Sequence, residues 1–363
     1  MLNKITNVSF TGKIIDVHTH TGHWDKPAYG KADGAEPYTI GDIFEKANRV
    51  NEGGDEISKV IVSNLDCIKE ENGKPILDEI SGNKILLEQC QTNGKTAPLA
   101  VCQPKTGDVK NIKKLFKENP NAFVGLKFHP LSSGLAASDE RYVPYLKFAQ
   151  KNGLPCLFHS QVNIDNNTGA CLKDNLNPSD PELIYKSAKK APKTPVILGH
   201  MGAGWGESHS KAVDVMLKSI ERGDANLYAD ISWVDFRNPE KPNLVAAIKR
   251  LMNTSKGDKT DRLLFGTDAP IAEYSREDGL YARVVHDTKE AIRKNFGEKS
   301  EELIEKIFYK NADNLFFQPK PKRGISRTGW AAIGVAAMTL LYSGCLALKG
   351  KILADSEKNS HLG

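Results

Sequence analysis

The sequence predicts an α/β fold, a (β/α)8 barrel followed by a separate apolar helix, and three observations predict it. Short β-branched or apolar runs recur eight times between Lys13 and Gly266, with helical stretches between them. Eight such alternations in about 300 residues argue for a parallel sheet, and the number eight argues for closure into a barrel. Four of the runs end in metal-ligand residue types: His18 and His20, then His159, His200 and Asp268. In a closed parallel barrel the C-terminal strand ends converge on one mouth, so residues far apart in sequence meet there. An open doubly wound sheet is the alternative, but it leaves the ends of strands one, five, six and eight apart.

The elements follow in order. The first strand runs from Lys13 to His18 and leads into a polar, aromatic-containing loop from Thr21 to Tyr38. Thr39 is placed to cap a helix, its hydroxyl accepting from amides near Asp42. The second strand is Lys59 to Leu65 and the third Ala97 to Gln103. A basic amphipathic helix from about Asp108 to Asn119 presents its lysines as a solvated face. The fourth strand is Phe123 to Phe128, the fifth Leu154 to His159 and the sixth Pro195 to Gly199. Asp180-Pro181-Glu182 opens the helix before the sixth strand as an N-cap followed by proline at the first helical position. The seventh strand is Asn226 to Ile231 and the eighth Arg262 to Gly266. Helices over Gly279 to Phe296 and Ser300 to about Phe317 close the domain.

Composition fits a globular chain with a full core, at 39% apolar and 26% charged residues. The net charge of +5 is small beside 50 basic and 45 acidic side chains, and no long basic stripe interleaves with aromatics. Nucleic acid is therefore not an expected partner. Six widely spaced cysteines lack any Cys-x-x-Cys pair, and the first 30 residues lack the apolar core of a signal peptide. Free thiols in a reducing compartment, hence a cytoplasmic barrel, are expected.

Ile14-Ile15-Asp16-Val17-His18-Thr19-His20 carries the clearest chemistry. Side chains alternate along a strand, so His18 and His20 share a face. Two imidazoles side by side at a strand end suit a borderline-soft divalent cation such as zinc. Asp16 shares their parity but lies deeper, where it supports ligands by hydrogen bonding, with Asp230 on strand seven as another such partner. His23, Trp24, Trp205 and Trp233 follow strands one, six and seven on the mouth side and are candidate substrate walls. His209 and His286 fall in expected helices and carry no assigned role.

Taken with Gly125-Leu-Lys127-Phe-His129-Pro130, Phe158-His159-Ser160, Gly199-His200-Met201-Gly202 and Phe265-Gly266-Thr267-Asp268, the first motif resembles the amidohydrolase superfamily. More narrowly, the set is similar to its amidohydrolase-related branch of metal-dependent hydrolases and decarboxylases. Lys310-Asn-Ala-Asp-Asn-Leu-Phe316 is similar to the signature that closes those domains. The resemblance covers residues 13 to 317 and implies a TIM-like barrel holding one or two divalent cations. His18, His20, His159 and Asp268 are the implied ligands, with zinc the expected ion, manganese the second choice, and one ion expected rather than two. A bound zinc lowers the pKa of water to about 7, and Asp268 is placed to orient or deprotonate that water. The resemblance gives His200 either a catalytic role at the rim or, in binuclear relatives, a place on a second metal. Lys127 is either a carboxylated bridge between two metals or an ammonium that binds a substrate carboxylate or pairs with a nearby acid, and the ammonium is favoured. His129, before a proline at the strand exit, is expected to shape the loop.

The expected function is hydrolysis of a small carboxylate-, amide- or lactone-type substrate. Non-oxidative decarboxylation on the same scaffold is the alternative, and an inactive membrane-tethered scaffold a third. The domain division is a lead over 1–12, the barrel over 13–317, a Pro-rich basic linker over 318–329, an apolar helix over 330–348 and a polar tail over 349–363. Trp330 to Leu348 holds no charged residue and lies between Arg323 and Arg327 on one side and Lys349 and Lys351 on the other. As a helix it is about 28 Å long, close to a hydrocarbon core. A membrane anchor tethering a cytoplasmic barrel is the expectation, with Trp330 and the flanking cations at the interface.

Overall fold

A computed structural model of the chain describes residues 12–23, 36–68, 70–71, 74–271 and 277–318. Its eight barrel strands are β1 (Lys13–Thr21), β2 (Glu56–Asn64), β3 (Thr96–Val101), β4 (Gly125–Phe128), β5 (Cys156–Gln161), β6 (Pro195–Ala203), β7 (Asn226–Asp230) and β8 (Leu263–Leu264). All neighbouring pairs from β1 to β8 are parallel and in sequence order. Regular pairing of β8 stops after two residues, and Asp268 beyond it takes a left-handed φ of 72°. The wall continues because that segment bonds directly to β1. Val17 N–H donates to the Phe265 carbonyl at 3.0 Å, Asp268 N–H to that of His18 at 2.7 Å, and His20 N–H to that of Ala269 at 2.9 Å. These bonds close the ring.

Helices α1 (Ile40–Ala47), α2 (Glu79–Gln91), α3 (Val109–Glu118), α4 (Val143–Asn152), α5 (Pro181–Ala188), α6 (Ser208–Arg222), α7 (Pro242–Met252) and α8 (Leu280–Phe296) separate or follow the strands. The caps expected at Thr39 and Asp180 are present, Thr39 and Asp42 forming a reciprocal capping box and Asp180 capping α5, and Asp108 caps α3 as well. Strand side chains split into two layers. Ile14, Val60, Val62, Leu126, Phe158 and Leu198 pack outward toward the helices. Ile15, Val17, Ile61, Leu99, Leu157, Ile197 and Leu264 fill the barrel interior.

Two expectations need correction. The register between β1 and β2 slips between Asp16 and Thr19, so Asp16 does not share the face of His18. It turns toward α8 instead, where Tyr281 donates to its Oδ2 at 2.7 Å. The last helix is α-helical only over Ser300–Glu305 and then widens into π turns over Lys306–Lys310 and Asp313–Phe317. Those turns bring Ala312 and Leu315 into the interior cluster as the floor of the barrel. A two-strand hairpin, Glu70–Glu71 with Lys74–Pro75, stands outside the barrel in a stretch on which the sequence reading made no assignment. Among the described residues, no helix is long and apolar enough to cross a membrane. The expected membrane anchor over 330–348 lies outside the described residues, as do the linker from 319 onward and the tail. The five described cysteines are free thiols.

Candidate functional site

At the C-terminal mouth of the barrel, β1, β4, β5, β6, β7 and the segment after β8 each contribute a polar side chain that is buried or nearly so. Backbone chemistry brings them together. Gly199 has no room for a Cβ, which would sit 2.7 Å from the Phe158 carbonyl and 3.3 Å from His18 Cε1. A glycine there lets β6 close against β5 beneath His18. His200, Met201, Trp233 and Asp268 all adopt left-handed φ values, 58°, 44°, 64° and 72°. For such residues this conformation costs about 1–3 kcal/mol each, and it clusters where function holds the backbone in place.

The imidazole Nε2 of His18, a ring nitrogen of His200 and a carboxylate oxygen of Asp268 belong to a group whose ligand atoms all lie within 4.8 Å of one another. His18 Nε2 is 3.5 Å from Asp268 Oδ1, and the His18 and His200 rings stack with centroids 4.5 Å apart. His20 Nε2 reaches the same Asp268 oxygen at 2.9 Å. His159 Nδ1 meets His200 Nε2 at 3.2 Å. The five residues thus form one connected cluster, with His20 and His159 each one contact beyond the central three. Lys127 belongs to it as well: its Nζ is 2.6 Å from His18 Nε2.

A surrounding shell fixes the rings. Asp230 Oδ2 accepts from His18 Nδ1 at 3.0 Å, and Ser63 Oγ pairs with His20 Nδ1 at 2.9 Å. Ser232 Oγ is 2.7 Å from His200 Nδ1. The Trp233 indole N–H donates to Asp268 Oδ2 at 2.8 Å, leaving Oδ1 to the histidines. Asp16 touches no ligand ring; it accepts from the backbone N–H groups of His18 and Thr267, both at 3.1 Å, and so anchors β1 to the last strand segment.

The electrostatics follow from burial. Desolvation lowers His18, His20 and His200, and holds His159 near a pKa of about 4, so all four imidazoles are neutral at pH 7. Burial pushes the Asp268 carboxyl up, but the histidines around it outweigh that effect and hold it well below the usual carboxylate range. Burial lowers Lys127 to about 8, which still leaves an ammonium at neutral pH. Neutral imidazole nitrogens facing an ionised carboxylate are the donor set that zinc or manganese binds. The residues fit such an ion, and the Asp268 and Asp230 carboxylates partly offset the burial that disfavours the Lys127 ammonium lying against His18.

The remaining sequence candidates separate. His129 accepts from Ser132 N–H at 3.2 Å as the cap of a short turn, the loop-shaping role expected of it, and stacks on His159 at 4.1 Å. His23 Nδ1 pairs with Asp66 at 3.0 Å, and Trp205 is half exposed. Trp24 lies outside the described residues. His209 bonds the Met201 carbonyl, and His286 faces solvent beside Asp287. Sequence reasoning missed Ser63, Ser232 and the hydrogen bond from Trp233. Ser232 stands two residues beyond Asp230, a spacing visible in the sequence. Ser63 follows only from the β1–β2 register, which sets it opposite His20.

The amidohydrolase family profile matches residues 15–318. No curated protein matches the chain. Among solved structures, a probable 2-pyrone-4,6-dicarboxylic acid hydrolase from Acinetobacter baumannii with citric acid bound is 13% identical. It covers 84% of this chain and 98% of its own, at a TM-score of 0.51. The 5-carboxyvanillate decarboxylase from Sphingomonas paucimobilis matches at 13% identity over 84% and 98%, with a TM-score of 0.52. An amidohydrolase from Burkholderia multivorans with bound zinc matches at 13% identity over 84% and 99%, with a TM-score of 0.55. At such identities these likenesses concern the fold. The profile match runs from the first strand to the final turns, and the chain belongs to the amidohydrolase family.

Proposed function

We propose that the protein is a metal-dependent hydrolase of a small carboxylate-, amide- or lactone-type substrate, acting at the barrel mouth. The observation that carries this reading is the convergence of neutral imidazoles on an ionised, doubly held carboxylate at strand ends with strained backbone. His18, His200 and Asp268 would hold a divalent cation, zinc before manganese, with His20 and His159 adjoining as further donors. Such an ion supplies Lewis acidity and activates water near neutral pH. Asp268 takes the proton from the attacking water. Its Oδ2 is held by Trp233, so Oδ1 is the oxygen turned toward the reacting centre. His200 has one lone pair free of Ser232, on Nε2, which would either ligate the ion or, where His20 or His159 ligates instead, accept a proton. The Lys127 ammonium, fully buried, attracts an anionic group of the substrate.

That buried ammonium also fits a second reading on the same site, non-oxidative decarboxylation, in which Lys127 would pair with the substrate carboxylate. An acid at the mouth would deliver a proton to the carbon that keeps the electron pair as the C–C bond breaks and carbon dioxide leaves. Both reaction types occur among proteins of this fold. The experiment is to incubate metal-replete protein with a panel of lactones, amides and aromatic carboxylic acids in ¹⁸O-water and in D2O. A hydrolase incorporates solvent oxygen into its product. A decarboxylase releases carbon dioxide and incorporates deuterium at carbon. Turnover of no panel member by fully loaded protein would count against both.

A further inference from the structure

We propose that Asp230 and Ser232 form a relay that fixes the tautomers of His18 and His200 together and thereby sets the affinity of the centre for its cation. This rests on the metal-centre reading above. Both residues stand at the end of β7, Asp230 fully buried and Ser232 at 2% exposure, so no bulk water competes for their hydrogen bonds. Neither is a ligand candidate itself.

Protons decide the arrangement. Asp230 Oδ2 accepts the Nδ1–H of His18 at 3.0 Å. Asp230 Oδ1 accepts three more donors: the backbone N–H of His200 at 3.1 Å, that of Ser232 at 3.0 Å, and the Ser232 hydroxyl in close contact. A carboxylate with four donors is in its acceptor-only, ionised form. The Ser232 hydroxyl has a single proton, and its close approach to an ionised oxygen commits that proton to Asp230. Toward His200 Nδ1, 2.7 Å away, Ser232 Oγ can therefore only accept. His200 carries its proton on Nδ1 and keeps a lone pair on Nε2, as His18 does. The same Ser232 oxygen lies 3.5 Å from His18 Nδ1, so it borders both rings.

One carboxylate thus turns two lone pairs toward the space shared with Asp268. It also holds the His200 backbone in its left-handed conformation. In this tautomer His200 cannot donate from Nε2; it can ligate, or take a proton. Fixing the ring nitrogen through a partner on its far side is the general means by which such shells raise ligand strength, and loss of one typically weakens metal binding about 10- to 100-fold.

Two measurements on the full chain test this. In metal-free, ¹⁵N-histidine-labelled protein, long-range ¹H–¹⁵N spectra are expected to show His18 and His200 both protonated at Nδ1. A signal from either ring protonated at Nε2 would overturn the relay, and this measurement needs no variant beyond those used for assignment. Zinc affinity is then read by competition with a chelator. Ser232→Ala is expected to bind zinc about 10- to 100-fold more weakly, while the metal-free protein still folds cooperatively with its melting temperature lowered by only a few degrees. Ser232→Thr, which keeps the hydroxyl, is expected to bind like the wild type. Equal zinc affinity in wild type and Ser232→Ala would overturn the relay while leaving the metal centre standing. A wild type that binds no zinc and no manganese would overturn both.

Discussion

Replacing Trp233 by phenylalanine removes a hydrogen-bond donor to a buried carboxylate while keeping an aromatic ring. The indole N–H donates to Asp268 Oδ2 at 2.8 Å, while the ring lies tilted against Phe236 with centroids 4.5 Å apart. Phenylalanine keeps an aromatic ring on Phe236 and can adopt the same backbone conformation at the same cost. Asp268 is only 6% exposed, so water replaces the lost donor poorly. A hydrogen bond to a charged group contributes about 1.5–3 kcal/mol. Without metal, that loss lowers the melting temperature by about 3–6 °C, at about 2 °C per kcal/mol for a barrel of this size. With metal loaded, the same energy corresponds to a roughly 10- to 150-fold fall in kcat/KM. The fall is expected in kcat, because the freed carboxylate no longer holds Oδ1 toward the reacting centre. The assay pairs calorimetry of metal-free protein with kinetics of protein whose metal content has been verified. Unchanged melting together with kcat/KM within twofold of wild type would refute the role given to this hydrogen bond.

Other outcomes follow from the same geometry. Asp268→Asn leaves the barrel folded but cannot take a proton, so turnover falls by about 10²–10⁴; near-normal rates would remove Asp268 from its assigned role. Dialysis against a chelator lowers the melting temperature and re-addition of zinc restores it, by about 2.7 kcal/mol of stability at a hundredfold excess over Kd; a melting curve indifferent to metal would contradict a site formed only in the folded state. Gly199→Ala forces a methyl group to 2.7 Å from a backbone carbonyl and costs about 1–3 kcal/mol or more, read as loss of soluble expression or melting temperature. His159 is held at about 4, below the ordinary imidazole value of 6.5. Its neutral form therefore favours folding fully above pH 6.5, and that contribution is lost as pH falls toward 4. Melting of the metal-free protein should drop across that window, and His159→Gln should flatten the drop; an unchanged profile in the variant would refute it.

Most of the barrel was legible because its signals are local. Eight apolar runs and capping residues such as Thr39 and Asp180 each act within a few residues of chain. His18, His20, His159, His200 and Asp268 were legible as a set because a closed parallel barrel leaves strand ends only one place to meet. What escaped depends on register and on departures from regular geometry. The slip between Asp16 and Thr19 breaks the two-residue alternation on which the placing of Asp16 relied. Ser63 reaches His20 only through strand pairing, and the π turns after Glu305 answer to the barrel floor rather than to any helical period. Trp233 looked like a wall residue because an indole's bulk is evident from sequence, whereas the aim of its N–H depends on a left-handed backbone that the sequence does not announce.

The central claim is that the cluster at the barrel mouth holds a catalytic divalent cation, and metal quantification tests it most directly. Wild-type protein expressed in metal-replete medium, and the double variant His18→Ala with His20→Ala, would be purified identically and analysed by elemental mass spectrometry. The expected result is close to one equivalent of zinc or manganese in the wild type and its loss in the variant. Less than about a tenth of an equivalent in the wild type, or equal metal in both proteins, would contradict a metal centre built on these histidines.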